Sequence, residues 1–296
     1  MQSFQTFYQD TIYAKLIRLE RIRWAILLFF GISFLVVPYL IFFEEAVDWL
    51  HGLLYIFFLF VWYVSFKEVS KSFGLRGKRY LMAEVIRYAS VNSVYYPTER
   101  LSNDQIQLSS FFPDVWIEME GEDLLLHKTD EVSYDMCELK IWREDSIRGG
   151  VDLFFSGRLI TFVCDHPFDG SIMAWPKSRA KSMELSAKSF FRLGAKPVSK
   201  YDSKTHLFYS LDTTASRNFP FAHLESFFES NHSFEQPLYM SVKNNVVFLA
   251  LESKEDQFEV RVLKGVTYHE LERLHQQIQQ IDKLVVSIHQ ILNQML

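Results

Sequence analysis

The N-terminal architecture is set by residues 24–43, WAILLFFGISFLVVPYLIFF, and residues 49–66, WLHGLLYIFFLFVWYVSF. Neither run contains Asp, Glu, Lys or Arg. A helix of about 20 residues rises about 30 Å, which is enough to cross the hydrocarbon core of a bilayer. Only residues 44–48 separate the two runs. The sequence therefore predicts a transmembrane hairpin over residues 24–66, with spans at 24–43 and 49–66.

The charges that flank the two runs predict the orientation of the hairpin. Four bases precede the first run and five follow the second, whereas the connecting loop holds three acids and no base. Because Lys and Arg close to a span resist translocation, both termini are expected on the cytoplasmic side. A cleaved signal peptide is a competing interpretation, but the first run has no small-residue cleavage site and a second run follows at once. A buried pair of globular helices is another, but residues 26–30 leave no polar face.

The charge of the remaining chain limits its partners. Residues 1–79 hold nine bases and six acids, whereas residues 80–296 hold 22 bases and 30 acids. A general nucleic-acid binder needs a basic face, so the acidic part indicates that no nucleic acid is bound. The basic residues 67–79 are predicted to form a juxtamembrane linker beside anionic lipid headgroups. Cys137 and Cys164 lack the spacing of a zinc site and are expected to be reduced core residues.

The hydrophobic period changes along the chain. Residues 1–23 have apolar side chains at helical spacing and predict a cytoplasmic amphipathic helix. Residues 80–266 are predicted to form a cytoplasmic α+β domain with antiparallel strands, because Val132, Tyr134 and Met136 alternate with polar residues. Hairpin turns are expected at Asn244-Asn245, where Asn tolerates a positive φ, and at residues 156–158. Helices are expected near residues 180–192 and over residues 220–230.

Residues 267–296 are predicted to form a long C-terminal amphipathic helix. Thr267 and Glu270 have the spacing of a capping box at its start. The apolar side chains follow steps of three and four, as in a coiled coil, and the predicted interaction seam consists of Leu274, Ile278, Ile281, Val285, Ile288 and Leu292. Leu284 and Ile291 widen this stripe, which also suits packing on the chain's own domain or on the N-terminal helix. Self-association, a partner helix and packing on the same chain are all left open.

Motifs that carry known chemistry are missing from the sequence. There is no Gly-x-Ser-x-Gly elbow, no P-loop and no His-Glu-x-x-His, so no cofactor is expected. Glu120, Glu122 and Asp123 crowd one strand end and turn, where carboxylates could bind a hard cation or act as acid and base. Asp165 could orient the imidazole of His166. Solvated turn acids and a simple strand end are the structural alternatives for these two groups.

Several short stretches, taken together, resemble a known family. They are Phe7-Tyr8, Leu19-Glu20, Arg23, Gly121-Glu122-Asp123-Leu124, Phe155-Ser156-Gly157, Tyr209-Ser210-Leu211-Asp212, Arg217 and Phe258-Glu259. In their order and spacing they resemble domain-of-unknown-function family 3137, bacterial membrane proteins with two N-terminal spans and a cytoplasmic domain. The chain looks like a divergent member, since Asn218-Phe219-Pro220 stands where the family usually has Leu-Thr-Pro. The resemblance implies a plasma membrane location, no defined reaction, and a LemA-like membrane protein as a partner.

These features favour a membrane-anchored cytoplasmic interaction or scaffold protein, with the lipid bilayer and either a second copy or another membrane protein as partners. The alternative is a membrane-bound hydrolase or metal-dependent enzyme that uses the acidic residues named above. A third interpretation is an oligomeric transport component, although the spans lack the polar groups that mark ion pathways.

Overall fold

The computed structural model describes residues 3–42, 49–90, 92–112, 118–128, 131–145, 150–166, 168, 170–179, 196–197, 205–210, 219–230, 237–253 and 258–295. The chain divides into two compact units. The first contains the described residues of Met1–Ala89 and Gln257–Gln277, and the second contains those of Ser90–Asp256 and Ile278–Leu296. The finer division into residues 1–23, 24–66, 67–79, 80–266 and 267–296 stays a prediction.

The first unit consists mainly of long helices. They are α1 (Phe4–Phe7), a π-helical turn (Tyr8–Ile12), α2 (Tyr13–Phe42), α3 (Trp49–Gly77), a second π-helical turn (Lys78–Met82) and α4 (Ala83–Ala89). Two helical stretches, Phe4–Ile41 and Trp49–Ala89, are long and apolar enough to cross a membrane. In their most apolar windows, 6% and 0% of the residues are buried. Their apolar side chains therefore face outward, unlike those of core helices in a globular protein.

Contacts between α2 and α3 are concentrated on Trp62. Its indole N–H donates to the carbonyl oxygen of Phe30 at 3.1 Å, and its ring packs edge to face on the Phe30 ring with centroids 5.7 Å apart. Phe30 is 6% exposed, whereas Leu35 on the same helix is 71% exposed. The two helices thus bury one narrow seam and leave the rest of their apolar surface outward.

Residues 67–79, expected to form a linker, are helical. Gly74 and Gly77 do not break the helix; they let Val260 pack against it. A Cβ atom on Gly74 would lie 2.8 Å from the Val260 carbonyl oxygen, and one on Gly77 would lie 2.5 Å from Val260 Cγ1. Both glycines therefore serve a close approach between segments, for which the absence of a Cβ is required.

The second unit is built on a nine-stranded sheet within the described residues. Its strands are β1 (Ser93–Tyr96), β2 (Glu118–Lys128), β3 (Ser133–Asp145), β4 (Gly150–Val163), β5 (Ser171–Pro176), β6 (Lys196–Pro197), β7 (His206–Ser210), β8 (Leu238–Lys243) and β9 (Val246–Glu252). All ladders are antiparallel, and the order is β1-β2-β3-β4-β9-β8-β5-β7-β6. The pairing of β4 with β9 and of β8 with β5 brings distant parts of the sequence together.

Helices cover one face of this sheet. They are α6 (Phe221–Ser230) and the second part of α7 (Tyr268–Met295). Phe208 packs on Phe221 with ring centroids 5.2 Å apart, and Phe162 packs on His289 at 6.2 Å. The opposite face buries a second apolar layer that includes the short helix α5 (Asn103–Leu108). Because side chains alternate along strands, each central strand contributes to both layers.

The α+β fold class, with two long apolar N-terminal helices, an antiparallel sheet and a long C-terminal helix, is confirmed. Asn244 forms the turn between β8 and β9 with a φ of 55°. The hairpin expected at residues 156–158 is wrong, because β4 runs through them without a turn. The helix expected near residues 180–192 lies outside the described residues.

Candidate functional site

A cavity lies in the apolar layer of the second unit, on the face opposite α6. Its volume is about 260 Å³. We call it the aromatic cavity, and its lining residues are Phe111, Phe112, Arg143, Asp152, Leu153, Phe154, Phe155, Trp175, Tyr239, Ala250 and Glu252. Leu153 is 53% exposed, so the cavity opens to solvent. Its lining combines aromatic rings with three charged side chains. A cleft that joins aromatic surface to a few polar groups is a common form of binding site.

The polar groups of the aromatic cavity are arranged around its rings. The Tyr239 hydroxyl donates to Glu252 Oε2 at 2.9 Å, and the Arg143 guanidinium lies 4.8 Å from the centroid of the Phe154 ring. The Trp175 and Tyr239 rings meet edge to face at 4.8 Å. These contacts fix the walls of the cavity, and the charged side chains give it a polar rim.

The indole N–H of Trp175 has no hydrogen-bond acceptor among the described residues, although the residue is only 6% exposed. A buried donor without a partner costs about 1–3 kcal/mol, so such groups are uncommon. Trp175 also lines the aromatic cavity, and a bound carbonyl or carboxylate oxygen within reach of this N–H would satisfy it. The cavity therefore combines aromatic walls with a donor for which the described residues provide no acceptor.

The acidic residues predicted as a site occupy two different environments. Glu120 and Glu122 line a second cavity of about 230 Å³ together with Glu138 and Lys140. Asp123 is fully buried, has a φ of 62°, and accepts a hydrogen bond from the Tyr95 hydroxyl. Burial and the Asp123 carboxylate raise the pKa of Tyr95, so this phenol stays a donor. Asp123 thus stabilises a bulge in β2 rather than lining the cavity.

Asp165 and His166 lie near the far end of the same sheet. Asp165 Oδ2 accepts a hydrogen bond from Asn293 Nδ2 at 2.7 Å, and its backbone N–H donates to Asn293 Oδ1 at 3.1 Å. Its carboxylate lies 3.8 Å from His289 Nε2. Gly157, which lines the second cavity, and Val163 are six residues apart on β4, about 20 Å. The structure therefore does not bring the two predicted groups together, and within the described residues no three His, Cys, Asp or Glu side chains are placed to bind one metal ion.

The sequence did not indicate a buried polar cluster between the sheet and α7. His127 Nδ1 lies 2.5 Å from Ser90 Oγ and 2.7 Å from Ser93 Oγ, and Asp282 accepts a hydrogen bond from the Tyr134 hydroxyl. His127 Nε2 is 3.6 Å from Asp282 Oδ1, too far for a hydrogen bond. Burial lowers the pKa of His127 and raises the pKa of Asp282.

This cluster contains the residue types of a nucleophile, a base and an orienting acid. His127 is 4% exposed and Ser90 is 7% exposed, so a substrate cannot reach the hydroxyl in this conformation. The long distance between His127 and Asp282 also fails the geometry of a triad. We therefore assign the cluster to holding α7 on the sheet. Its members are separated by up to nearly 200 residues, and no local motif marks them.

The predicted interaction seam lies inside the chain. Each of its members is at most 2% exposed: Leu274, Ile278, Ile281, Val285, Ile288 and Leu292. The predicted capping box is present, because the backbone N–H of Thr267 donates to Glu270 Oε2 at 2.9 Å and that of Glu270 donates to Thr267 Oγ1 at 3.3 Å. The apolar stripe therefore contributes to the packing of a single copy.

Comparison with known proteins gives two findings. A family model described as protein of unknown function (DUF3137) matches residues 154–291. The crystal structure of the mycobacterial trehalose monomycolate transport factor A, TtfA, is similar at a TM-score of 0.36 and 13% identity, over 71% of this chain and 96% of that chain. That TM-score is too low to support an argument about fold or function. No curated protein matches the chain.

The match to the family model begins in β4 and ends in α7. It contains Phe155-Ser156-Gly157, Tyr209-Ser210 and Phe258-Glu259, which carried the resemblance in the sequence. The segments matched thus supply the centre of the sheet and the helix packed on it. On this evidence residues 154–291 are similar to the DUF3137 family of proteins of unknown function.

Proposed function

We propose that this protein is a membrane-anchored interaction protein of the bacterial plasma membrane, with both termini and the sheet unit in the cytoplasm. Two helices with outward-facing apolar side chains support the anchor. The bases that flank the apolar runs, and the acids between them, support the orientation. The described residues contain no catalytic arrangement with an accessible nucleophile, so binding accounts for the observed features more simply than catalysis does.

The aromatic cavity is the proposed binding site, and the unsatisfied indole N–H of Trp175 is the observation that carries this proposal. The volume of about 260 Å³ lies below the 300–1,000 Å³ range of most small-molecule sites, so it suits one large side chain better than a whole drug-sized ligand. Buried aromatic anchors that fill such pockets dominate many protein interfaces. The proposed ligand is therefore an apolar or aromatic side chain of a partner polypeptide, with a nearby carbonyl oxygen that accepts from Trp175.

A peptide display experiment tests the site directly, because it requires no identified partner. The probe is a random peptide library, selected on the full-length protein in a lipid nanodisc. We expect the selected peptides to share an apolar or aromatic anchor. Ala250→Leu places extra carbon atoms in the cavity and should weaken their binding by at least about tenfold, the equivalent of about 1.4 kcal/mol. Trp175→Phe removes one hydrogen bond and should weaken binding roughly two- to tenfold.

Val94→Leu is the matched control, because it adds a methylene to a side chain that is already 50% exposed on β1. It should bind the peptides as the wild type does. Near-ultraviolet circular dichroism shows whether each variant keeps its packing. Equal affinity of the selected peptides for folded Ala250→Leu, Trp175→Phe and wild-type protein would overturn the proposed site.

The LemA-like membrane protein implied by the family resemblance is the partner to test first. Co-purification in mild detergent followed by native mass spectrometry gives the stoichiometry directly. We expect a stoichiometric complex with wild-type protein and with Val94→Leu, and loss of that complex with Ala250→Leu. A complex that survives Ala250→Leu would place the partner on a different surface of the protein.

A further inference from the structure

A short turn in the first unit carries an unusually exposed leucine. Along residues 258–263 the side chains alternate: Phe258, Val260 and Val262 are at most 4% exposed, whereas Leu263 is 74% exposed. The backbone N–H of Lys264 donates to the carbonyl oxygen of Arg261 at 3.3 Å and closes the turn. We call residues 261–264 the interfacial turn. Leu263 is the most exposed apolar side chain of the described residues outside the two runs that open the sequence.

The interfacial turn lies where the apolar surface of α2 begins. A Cβ atom on Gly265 would be 2.9 Å from Glu20 Oε1 and 3.5 Å from Arg23 Cζ. The Arg23 guanidinium is in turn 5.0 Å from the centroid of the Trp24 ring. Trp24 is the first residue of the first apolar run. The turn therefore lies within about one helical turn of the expected membrane boundary.

The turn is held in this place by its buried neighbours. Val260 contacts the glycine-lined surface of α3, where a Cβ on Gly77 would approach Val260 Cγ1 to 2.5 Å. On the other side, Lys264 pairs with Glu270 at 2.6 Å at the start of α7. Leu263 is thus presented by a fixed backbone and not by a free end. An ordered backbone that exposes a large apolar side chain indicates a surface that is covered in use.

The charges beside Leu263 identify what covers it. The side chains of Arg261 and Lys264 are 62% and 72% exposed, so a base stands on each side of the leucine, with Arg261 paired to Glu259 and Lys264 paired to Glu270. An apolar side chain between long basic side chains suits the boundary between headgroups and acyl chains, where the stems stay apolar and the charges reach the phosphates. Tryptophan is enriched at this same depth, and Trp24 lies beside the turn.

We propose that the interfacial turn inserts Leu263 into the cytoplasmic leaflet of the bilayer that α2 and α3 cross, with Arg261 and Lys264 at the lipid headgroups. This inference rests on the proposed membrane anchor. The turn lies more than 200 residues after the first apolar run. The proposal therefore gives the C-terminal part of the chain a separate contact with lipid.

Depth-dependent fluorescence quenching tests this contact in the full-length protein. Leu263→Cys is labelled with an environment-sensitive fluorophore and placed in nanodiscs of zwitterionic and anionic phospholipid, with a nitroxide near the carbonyl end of some acyl chains. Burial raises the pKa values of Cys137 and Cys164 to about 12, so the introduced thiol is the one that reacts. Two further variants give the quenching expected of a label inside the bilayer and of a label outside it.

Leu35→Cys lies in the apolar run of α2 and is 71% exposed, so it reports whether the helix lies in lipid. Tyr13→Cys is 52% exposed on the same helix and lies 11 residues before Trp24, about 16 Å away. We expect nitroxide lipids to quench the labels at Leu35→Cys and Leu263→Cys by about twofold or more, and to leave Tyr13→Cys unchanged.

The two reference variants separate the possible failures. If Leu35→Cys is quenched and Leu263→Cys behaves as Tyr13→Cys does, the interfacial turn does not contact lipid, although the anchor stands. If Leu35→Cys is not quenched, the proposed membrane anchor itself is overturned. Quenching of the Leu263→Cys label by a water-soluble nitroxide, without quenching by the nitroxide lipid, would also reject the lipid contact.

Discussion

Replacing Gly157 by alanine should separate two central strands of the sheet. Gly157 lies opposite Glu252, where β4 pairs with β9. A Cβ atom at this position would be 2.0 Å from the Leu251 carbonyl oxygen, 2.9 Å from Glu252 Cα and 3.0 Å from Leu251 C. All three atoms belong to the backbone, so no side-chain rotation relieves the contact. The strands themselves must move apart.

The size of the effect follows from that displacement. Ordinary contact begins near 3.4 Å, so the Leu251 oxygen has to move by about 1.4 Å. A ladder hydrogen bond does not survive such a movement, and neither does the bond from Ser253 N–H to the Ser156 carbonyl oxygen, now 2.8 Å long. Two lost bonds cost about 2 kcal/mol and the overpacking a further 1–3 kcal/mol. We expect the free energy of unfolding to fall by about 3–5 kcal/mol.

Thermal unfolding of the full-length protein in mild detergent measures this loss. For a unit of this size, 1 kcal/mol shifts the Tm by about 2–4 °C, so Gly157→Ala should lower the Tm by at least about 6 °C. Gly150→Ala is the control at the start of the same strand, where no described atom lies within 4 Å of the added Cβ. It should change the free energy of unfolding by no more than about 1 kcal/mol, because it only reduces the conformational freedom of the unfolded chain. Equal melting temperatures for Gly157→Ala and the wild type would refute the close approach of β9.

Three further predictions concern buried groups. Burial lowers the pKa of His127 below 6.5, so the unfolded state binds more protons than the folded state does. The free energy of unfolding should therefore fall as the pH drops from about 7.5 to 5.5. In His127→Gln, unfolding measured across this pH range should show a shallower decline. The thiols of Cys137 and Cys164, with pKa values raised to about 12, should react with a disulfide reagent at about pH 8 only after denaturation. Ile281→Asp combined with Ile288→Asp buries two carboxylates and should abolish folding of the second unit, as seen by circular dichroism.

Each of these predictions has a clear contrary result. A pH dependence of stability that is unchanged in His127→Gln would show that this imidazole is already solvated. Rapid labelling of the native thiols would contradict their burial. For the double substitution, Gln280→Asp on the exposed face of α7 is the control, and it should leave the fold intact. A folded Ile281→Asp, Ile288→Asp variant would mean that the stripe does not pack inside the chain.

Local patterns in the sequence predicted those elements that are controlled by interactions between neighbouring residues. The apolar runs gave two long helices, the Asn244-Asn245 pair gave the β8 to β9 turn, and Thr267 with Glu270 marked the start of α7. In each case neighbouring residues supply the controlling interaction. Gly157 shows the limit of such reasoning, since a glycine after a serine suggests a turn. Only the position of β9, nearly 100 residues later, reveals that the glycine is needed inside a strand.

The candidate binding site could not be found in this way. Phe111, Arg143, Trp175 and Tyr239 lie far apart in the sequence and none is part of a recognisable motif. They meet because β9 and β8 lie between β4 and β5 in the sheet. A lone tryptophan in an apolar segment is normally interpreted as a core residue. That no described residue accepts from the Trp175 N–H becomes visible only when its surroundings are known. By contrast, Glu120 and Glu122 were predicted from their crowding and do line a cavity.

The first unit is closed by residues from both ends of the chain. The Phe4 ring stacks on His275 with centroids 4.8 Å apart, and it also contacts Tyr268 at 5.8 Å. During synthesis, the ribosome must add roughly 270 residues after Phe4 before this partner exists, which takes about 15–50 s at ordinary elongation rates. Through that interval the N-terminal aromatic side chains lack their final partners. The two helices proposed to span the membrane therefore have time to insert before the last part of the chain completes the unit around them.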